Sequence, residues 1–147
     1  MRNTNLLKVQ ENKSLEQLEN DYWKDIDFPT TLVKKCHALR KVPLNQLSLE
    51  QVRLLLGQRL GTVYLIPIAL QFLNENILAE GDFYPGDLLS NVLDLPPEDW
   101  RGNEQARIQL TELLNINKEA ITFEGNRQLT RKVESYLQDN MRTTERL

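Results

Sequence analysis

Thr62-Val63-Tyr64-Leu65-Ile66-Pro67-Ile68-Ala69-Leu70-Gln71-Phe72-Leu73-Asn74-Glu75-Asn76 is apolar on nearly every side, with Val63, Leu65, Ile66, Ile68, Ala69, Leu70, Phe72 and Leu73 leaving no polar face of the width a surface helix carries. A segment of this kind is expected to be a helix enclosed by other helices. It sets the expected fold: all-α, a single compact multi-helix domain built around a buried central helix. Pro67 either occupies the first turn or kinks this helix, because a proline deeper inside forfeits a hydrogen bond at a cost of about 3 kcal/mol. The apolar run 63–73, interrupted by Pro67 and Gln71, is about half the length needed to cross a bilayer.

The flanks show helical spacing too. Upstream, Ser48 followed by Gln51 is a capping box, and Leu49, Val52, Leu55, Leu56 and Leu60 recur at steps of three and four before Gly57 and Gly61 loosen the end. Pro29 with Thr30-Thr31 opens an earlier helix with Leu32, Val33, Cys36 and Leu39 on one face, ended by Pro43, and Ser14 with Gln17 caps a first helix that runs through Tyr22. Downstream lies the block Glu80-Gly81-Asp82-Phe83-Tyr84-Pro85-Gly86-Asp87-Leu88-Leu89, which concentrates glycine, proline and acid between two apolar segments. It reads as a helix-start device, with Pro85 in the first turn and Asp87 near the positive end of the helix dipole. Leu88, Leu89, Val92 and Leu93 form the buried stripe of that helix, and Pro96-Pro97 closes it. A longer helix is expected over 97–115 with Ala106, Ile108, Leu110, Leu113 and Leu114, and a last one over 125–139 with Leu129, Val133, Tyr136 and Leu137. Only short pieces such as Ile121-Thr122-Phe123 have a strand alternative. There is no repeat, low-complexity tract or linker, so 1–147 is expected to be one helical unit, with about 12 amino-terminal and about 6 carboxy-terminal residues frayed.

The bulk composition is that of an ordinary globular chain: 147 residues, 40% hydrophobic and 27% charged. The single cysteine, Cys36, excludes an internal disulfide framework and a cysteine-rich zinc site, which fits a reducing cytoplasm. The apolar pair Leu6-Leu7 is too short for a signal peptide. No membrane association is expected. Catalytic chemistry has few candidates. His37 is the only histidine and reads as a surface or structural residue; Cys36 reads as a small core side chain. No phosphate-binding loop, dinucleotide fingerprint or metal-ligand spacing is present, so no catalytic residue, cofactor or metal is assigned. Glu80, Asp82 and Asp87 match no calcium loop and read as solvated loop acids that cap amides ahead of a helix.

Charge is segregated along the chain. Over 34–59 the bases Lys34, Lys35, Arg40, Lys41, Arg53 and Arg59 face only Glu50, whereas over 75–104 the acids Glu75, Glu80, Asp82, Asp87, Asp94, Glu98, Asp99 and Glu104 face only Arg101. The basic stretch lacks interleaved aromatics and spreads over different helix faces, so it reads as solvated surface and not as a direct nucleic-acid site. The acidic stretch, with Tyr84 and Trp100 at hand, suits a basic protein partner, since charge speeds encounter and aromatics hold the complex. A smaller acidic cluster surrounds Tyr22-Trp23, with Glu16, Glu19, Asp21, Asp25 and Asp27.

Five stretches in order resemble the immunity proteins of bacterial contact-dependent growth inhibition (CDI) systems. They are Leu18-Glu19-Asn20-Asp21-Tyr22-Trp23, Cys36-His37-Ala38-Leu39-Arg40-Lys41-Val42-Pro43-Leu44, Ser48-Leu49-Glu50-Gln51-Val52-Arg53-Leu54-Leu55-Leu56-Gly57-Gln58, Tyr64-Leu65-Ile66-Pro67-Ile68-Ala69-Leu70 and the block from Glu80 to Leu89. The resemblance covers about 15–93, departs at Asn76-Ile77, where an Asp-Pro step is expected, and places nothing after Asp94. It implies a cytoplasmic antitoxin, not an enzyme, that binds the toxin domain of its matching CDI effector and blocks its active site or substrate access. Such toxins are often nucleases, whose phosphate-binding sites are basic, so an acidic patch fits as a phosphate surrogate. The candidate toxin-binding residues are then Glu80, Asp82, Tyr84, Asp87, Asp94, Glu98, Asp99 and Trp100, with Asp21, Tyr22, Trp23 and Asp25 as a second surface. The alternative is a non-catalytic helical adaptor or self-assembling scaffold, which gene context separates: an immunity gene lies beside a toxin gene.

Overall fold

The computed structural model describes residues 10–24 and 30–145, with side chains as far as 140. Helices α1 (Leu15–Glu19), α2 (Thr31–Leu39), α3 (Leu49–Gly57), α4 (Thr62–Glu75), α5 (Asp87–Leu93), α6 (Glu104–Ile116), α7 (Lys118–Glu124) and α8 (Arg127–Glu145) follow one another, with 3-10 turns at Leu44–Gln46 and Pro97–Trp100. The described residues contain no strand, only an isolated bridge between Ser14 and Pro43. The all-α expectation holds.

The central helix is α4. Leu65, Ile66, Ile68, Ala69, Leu70 and Leu73 are buried, and the helix packs against α3, α5, α6 and the Pro97–Trp100 turn. Pro67 sits inside it, beyond the first turn, where its ring nitrogen leaves the Val63 carbonyl without its usual helical donor. That carbonyl accepts instead from the Asn103 side-chain amide at 3.0 Å. Asn103 is the residue that precedes α6, so the position of the proline is coupled to the entry of another helix. A second layer forms as α8 crosses α5, α6 and α7 and adds Leu129 and Val133 to the one continuous core.

The local start signals behave as their chemistry requires. Both capping boxes are closed: the Ser14 and Ser48 amides each donate to the glutamine three residues on at 2.9 Å, and each serine oxygen accepts in return. Thr30 caps α2 through the Val33 amide at 3.1 Å; Pro29 lies outside the described residues.

Several boundaries differ from the sequence expectation. Helix α1 stops at Glu19, short of Tyr22, because Asn20 turns left-handed at φ 51°. Helix α5 begins at Asp87 and not at Pro85, because Gly86 takes φ 89°. A side chain there would also meet Leu129 Cδ2 at 2.6 Å, so the glycine is required by both conformation and contact. The helix expected over 97–115 is a 3-10 turn, a break at Gly102 (φ 79°) and then α6. Ile121-Thr122-Phe123 is helical, within α7, and α8 starts after Gly125 and continues in helical backbone to Glu145, past the expected end.

Candidate functional site

The block 80–87 is a loop organised from within. Four consecutive amides end on two carboxylates. The Gly81 amide donates to Asp87 Oδ1 at 2.6 Å, and those of Phe83 and Tyr84 donate to Asp87 Oδ2 at 3.0 and 3.4 Å. The Asp82 amide donates to Glu50 Oε1 of α3 at 2.9 Å. Arg53, one turn along α3, grips both oxygens of Glu50 at 2.5 and 2.6 Å and lies 3.9 Å from Asp87. This hydrogen bond from Arg53, foremost, holds the Glu50 carboxyl below the usual carboxylate range. Gly81 is there for space: a Cβ would sit 2.4 Å from Glu50 Oε1 and 3.1 Å from Asp87 Oδ2. A run of backbone amides facing one way is an anion-binding concavity, and here the chain fills it with its own acids.

With its amides turned inward, the loop turns its side chains out. Glu80 and Asp82 are exposed and make no ion pair among the described residues. Phe83 is 68% exposed and Tyr84 38%, and the Arg53 guanidinium lies 4.5 Å from the Phe83 ring centre. Asp87, expected as a solvated acid, is instead 2% exposed, because its carboxylate serves the loop amides. Trp100 is also buried, at 4%, tilted against Tyr136 with centroids 6.1 Å apart. Asp94 is paired with Lys132 at 2.9 Å, and Asp99 and Glu98 with Arg59 at 3.1 and 3.8 Å. The acidic stretch is therefore partly neutralised by bases from elsewhere in the chain. Glu80, Asp82 and Tyr84 are brought together on one loop, with Phe83 added. Phe83 was not among the sequence candidates, although its place beside Tyr84 in the turn-rich block was a signal for exposure.

The second acidic cluster encloses a cation. Arg40 is 2% exposed; its Nη2 reaches Glu19 Oε1 and the Asp21 carbonyl, each at 2.9 Å, and its guanidinium lies 4.3 Å from the Trp23 ring centre. His37 is buried as well, and its ring stacks on Trp23 with centroids 5.9 Å apart. Asp21 and Trp23 are thus engaged with Arg40, and Tyr22 projects at 58% exposure. Asp25 and Asp27 lie outside the described residues. The expectation that the basic stretch is solvated fails at Arg40, and also at Arg53, whose side chain is 11% exposed. Cys36 is buried, as expected, and burial pushes its thiol up. No group of three or more metal-ligating side chains occurs among the described residues, and no described helix is long and apolar enough to cross a membrane.

The loop thus presents aromatic and acidic side chains on a hydrogen-bonded frame, an arrangement suited to binding. A family model described as CDI immunity proteins matches residues 17–110. No curated protein and no solved structure matches the chain at a significant level.

Proposed function

This chain belongs to the CDI immunity proteins, and we propose that it acts in the cytoplasm, where it binds the toxin domain of its matching effector, a basic nuclease, and covers the active site or the path to it without doing chemistry. The contact runs through Glu80, Asp82, Phe83 and Tyr84. The observation that supports this placement is Phe83, a large apolar ring 68% exposed on a loop whose amides at 81–84 are all bonded to carboxylates. An aromatic held still in solvent is costly to leave uncovered and loses little entropy on binding, the properties of an interface anchor. Glu80 and Asp82 supply negative charge beside it, which complements a site that holds phosphates. Asp94, Glu98 and Asp99, already paired, and the exposed Tyr22 contribute at the rim.

The test is protection together with complex formation. Cells that express this chain and the toxin domain encoded beside it are expected to survive, and the purified pair to elute as a stoichiometric complex with its nuclease activity suppressed. Survival with no detectable complex would sink the binding mechanism. A toxin domain without nuclease activity that is still bound and neutralised would remove the nuclease assignment alone.

A further inference from the structure

Asp87 is a buried acid that the proposed contact does not touch, yet the entire contact loop hangs from it. Its two oxygens receive three of the four amides at 81–84, and Glu50 receives the fourth. The carboxylate stands at the first position of α5 but makes no capping bond to its own helix; it points back into the preceding loop. Each oxygen has assigned donors. An amide side chain at this place has only one acceptor oxygen, and its NH2 group would face either the Gly81 amide or those of Phe83 and Tyr84, with Arg53 close by. One side of the loop would lose its tether in either orientation.

We propose that Asp87, with Glu50 as its second arm, is a positioning residue for toxin recognition: it holds Phe83 and Tyr84 in their binding shape before the toxin arrives. This rests on the placement of the contact proposed above. The physical consequence is a population effect, since a loop that spends only a fraction of its time in the competent shape binds with an affinity reduced by that fraction. The loss falls on the association rate, because the complex, once formed, makes the same side-chain contacts.

The experiment uses the full-length chain as Asp87→Asn, Glu50→Gln and Phe83→Ala variants, with a catalytically inactive form of the toxin domain encoded beside this gene as the probe. Amide hydrogen exchange, thermal unfolding and binding kinetics are measured on each. For Asp87→Asn, exchange at 81, 83 and 84 is expected to accelerate roughly tenfold or more while α4 amides keep their protection. Association is expected to slow by about the same factor as the closed fraction falls, with dissociation nearly unchanged. Glu50→Gln, whose site is partly open to solvent, should show the weaker version centred on the Asp82 amide. It decides the matter if Asp87→Asn does not fold. A loop whose exchange shows it open most of the time but which binds at the parent rate, with Phe83→Ala still impaired, overturns the positioning role and leaves the contact surface standing. Parent-like binding by all three variants overturns both. A merely structural role would lower the unfolding temperature without changing the association rate at temperatures far below it, and that result also overturns the proposal.

Discussion

Under the proposed contact, removing the Phe83 ring separates recognition from stability. The side chain is 68% exposed, and a phenylalanine has about 150–250 Å² to bury, so a toxin that covers it removes about 130 Å² from water. At about 25 cal/mol per Å² this is about 3 kcal/mol. Interface area converts incompletely into affinity, which leaves about 2–3 kcal/mol, or roughly 30- to 150-fold in Kd. The folded chain loses much less. Its main intramolecular contact is with the Arg53 guanidinium at 4.5 Å, a cation–π pair of about 0.5–1 kcal/mol at an exposed site. In a domain of this size that is about 1–4 °C in Tm. Phe83→Ala is thus expected to raise the toxin dissociation rate by one to two orders of magnitude while unfolding within a few degrees of the parent. Binding is followed in real time on immobilised toxin domain, and unfolding by circular dichroism. A Kd within threefold of the parent would place the anchor elsewhere, with Tyr22 next in line. A Tm loss far above 4 °C would refute the exposed, lightly held ring from which the estimate starts.

Three further outcomes follow from the same geometry. Reversing Glu80 and Asp82 together to lysine should slow association and flatten its salt dependence with little change in dissociation, since exposed rim charges act on encounter over a screening length of about 8–10 Å; an association rate indifferent to both salt and reversal counts against this surface. Arg40→Ala should cost about 1.5–3 kcal/mol in chemical denaturation, because it removes charge-assisted hydrogen bonds to the Asp21 carbonyl and to Glu19, whose carboxylate at 33% exposure regains water. Arg40→Lys should recover only part, for want of the planar fork, and a loss under 1 kcal/mol for the alanine variant would contradict the burial. Glu50 has a folded-state pKa depressed mainly by its hydrogen bond from Arg53, so its contribution to stability is present above the unfolded value near about 4.3 and is lost as pH falls through the lower folded value. The stability gap between the parent and Glu50→Gln, measured by urea titration, is expected to be full at neutral pH and to close below about pH 4; a gap constant across that window refutes the assignment.

What the sequence disclosed was what neighbours within one turn decide. The Ser14 and Ser48 boxes close because donor and acceptor lie three residues apart, and α4 is central because its own composition permits no other place. What it concealed depends on distant partners. Gly86 sits where any side chain would strike Leu129, on α8, and its left-handed turn puts the start of α5 two residues past Pro85. Asp87 reads as a solvated cap until Gly81 and Arg53 are seen around it, and Arg40 reads as a surface base until Glu19 and Trp23 close over it. The segregation of charge was legible, but its cancellation was not: Arg59 reaches 40 residues forward to Asp99, a pairing no local pattern encodes. The exposure of Phe83 is likewise set by the tethers that turn the loop's amides inward, one of which comes from Glu50, 32 residues away from Asp82.

The tethers of the 81–84 loop are backbone amides on one side and carboxylates of Asp87 and Glu50 on the other. None of the four bonds uses the side chain of Glu80, Asp82, Phe83 or Tyr84. The frame therefore places almost no demand on what those four positions carry, beyond excluding proline at the bonded amides of 82, 83 and 84. Under the proposed contact, a change in the toxin surface could be answered at positions 80, 82, 83 and 84 while the glycines and acids beneath stay fixed. The same separation makes these positions a natural library site: randomised together on an unaltered scaffold, they would let new toxin partners be selected without reopening the folding problem.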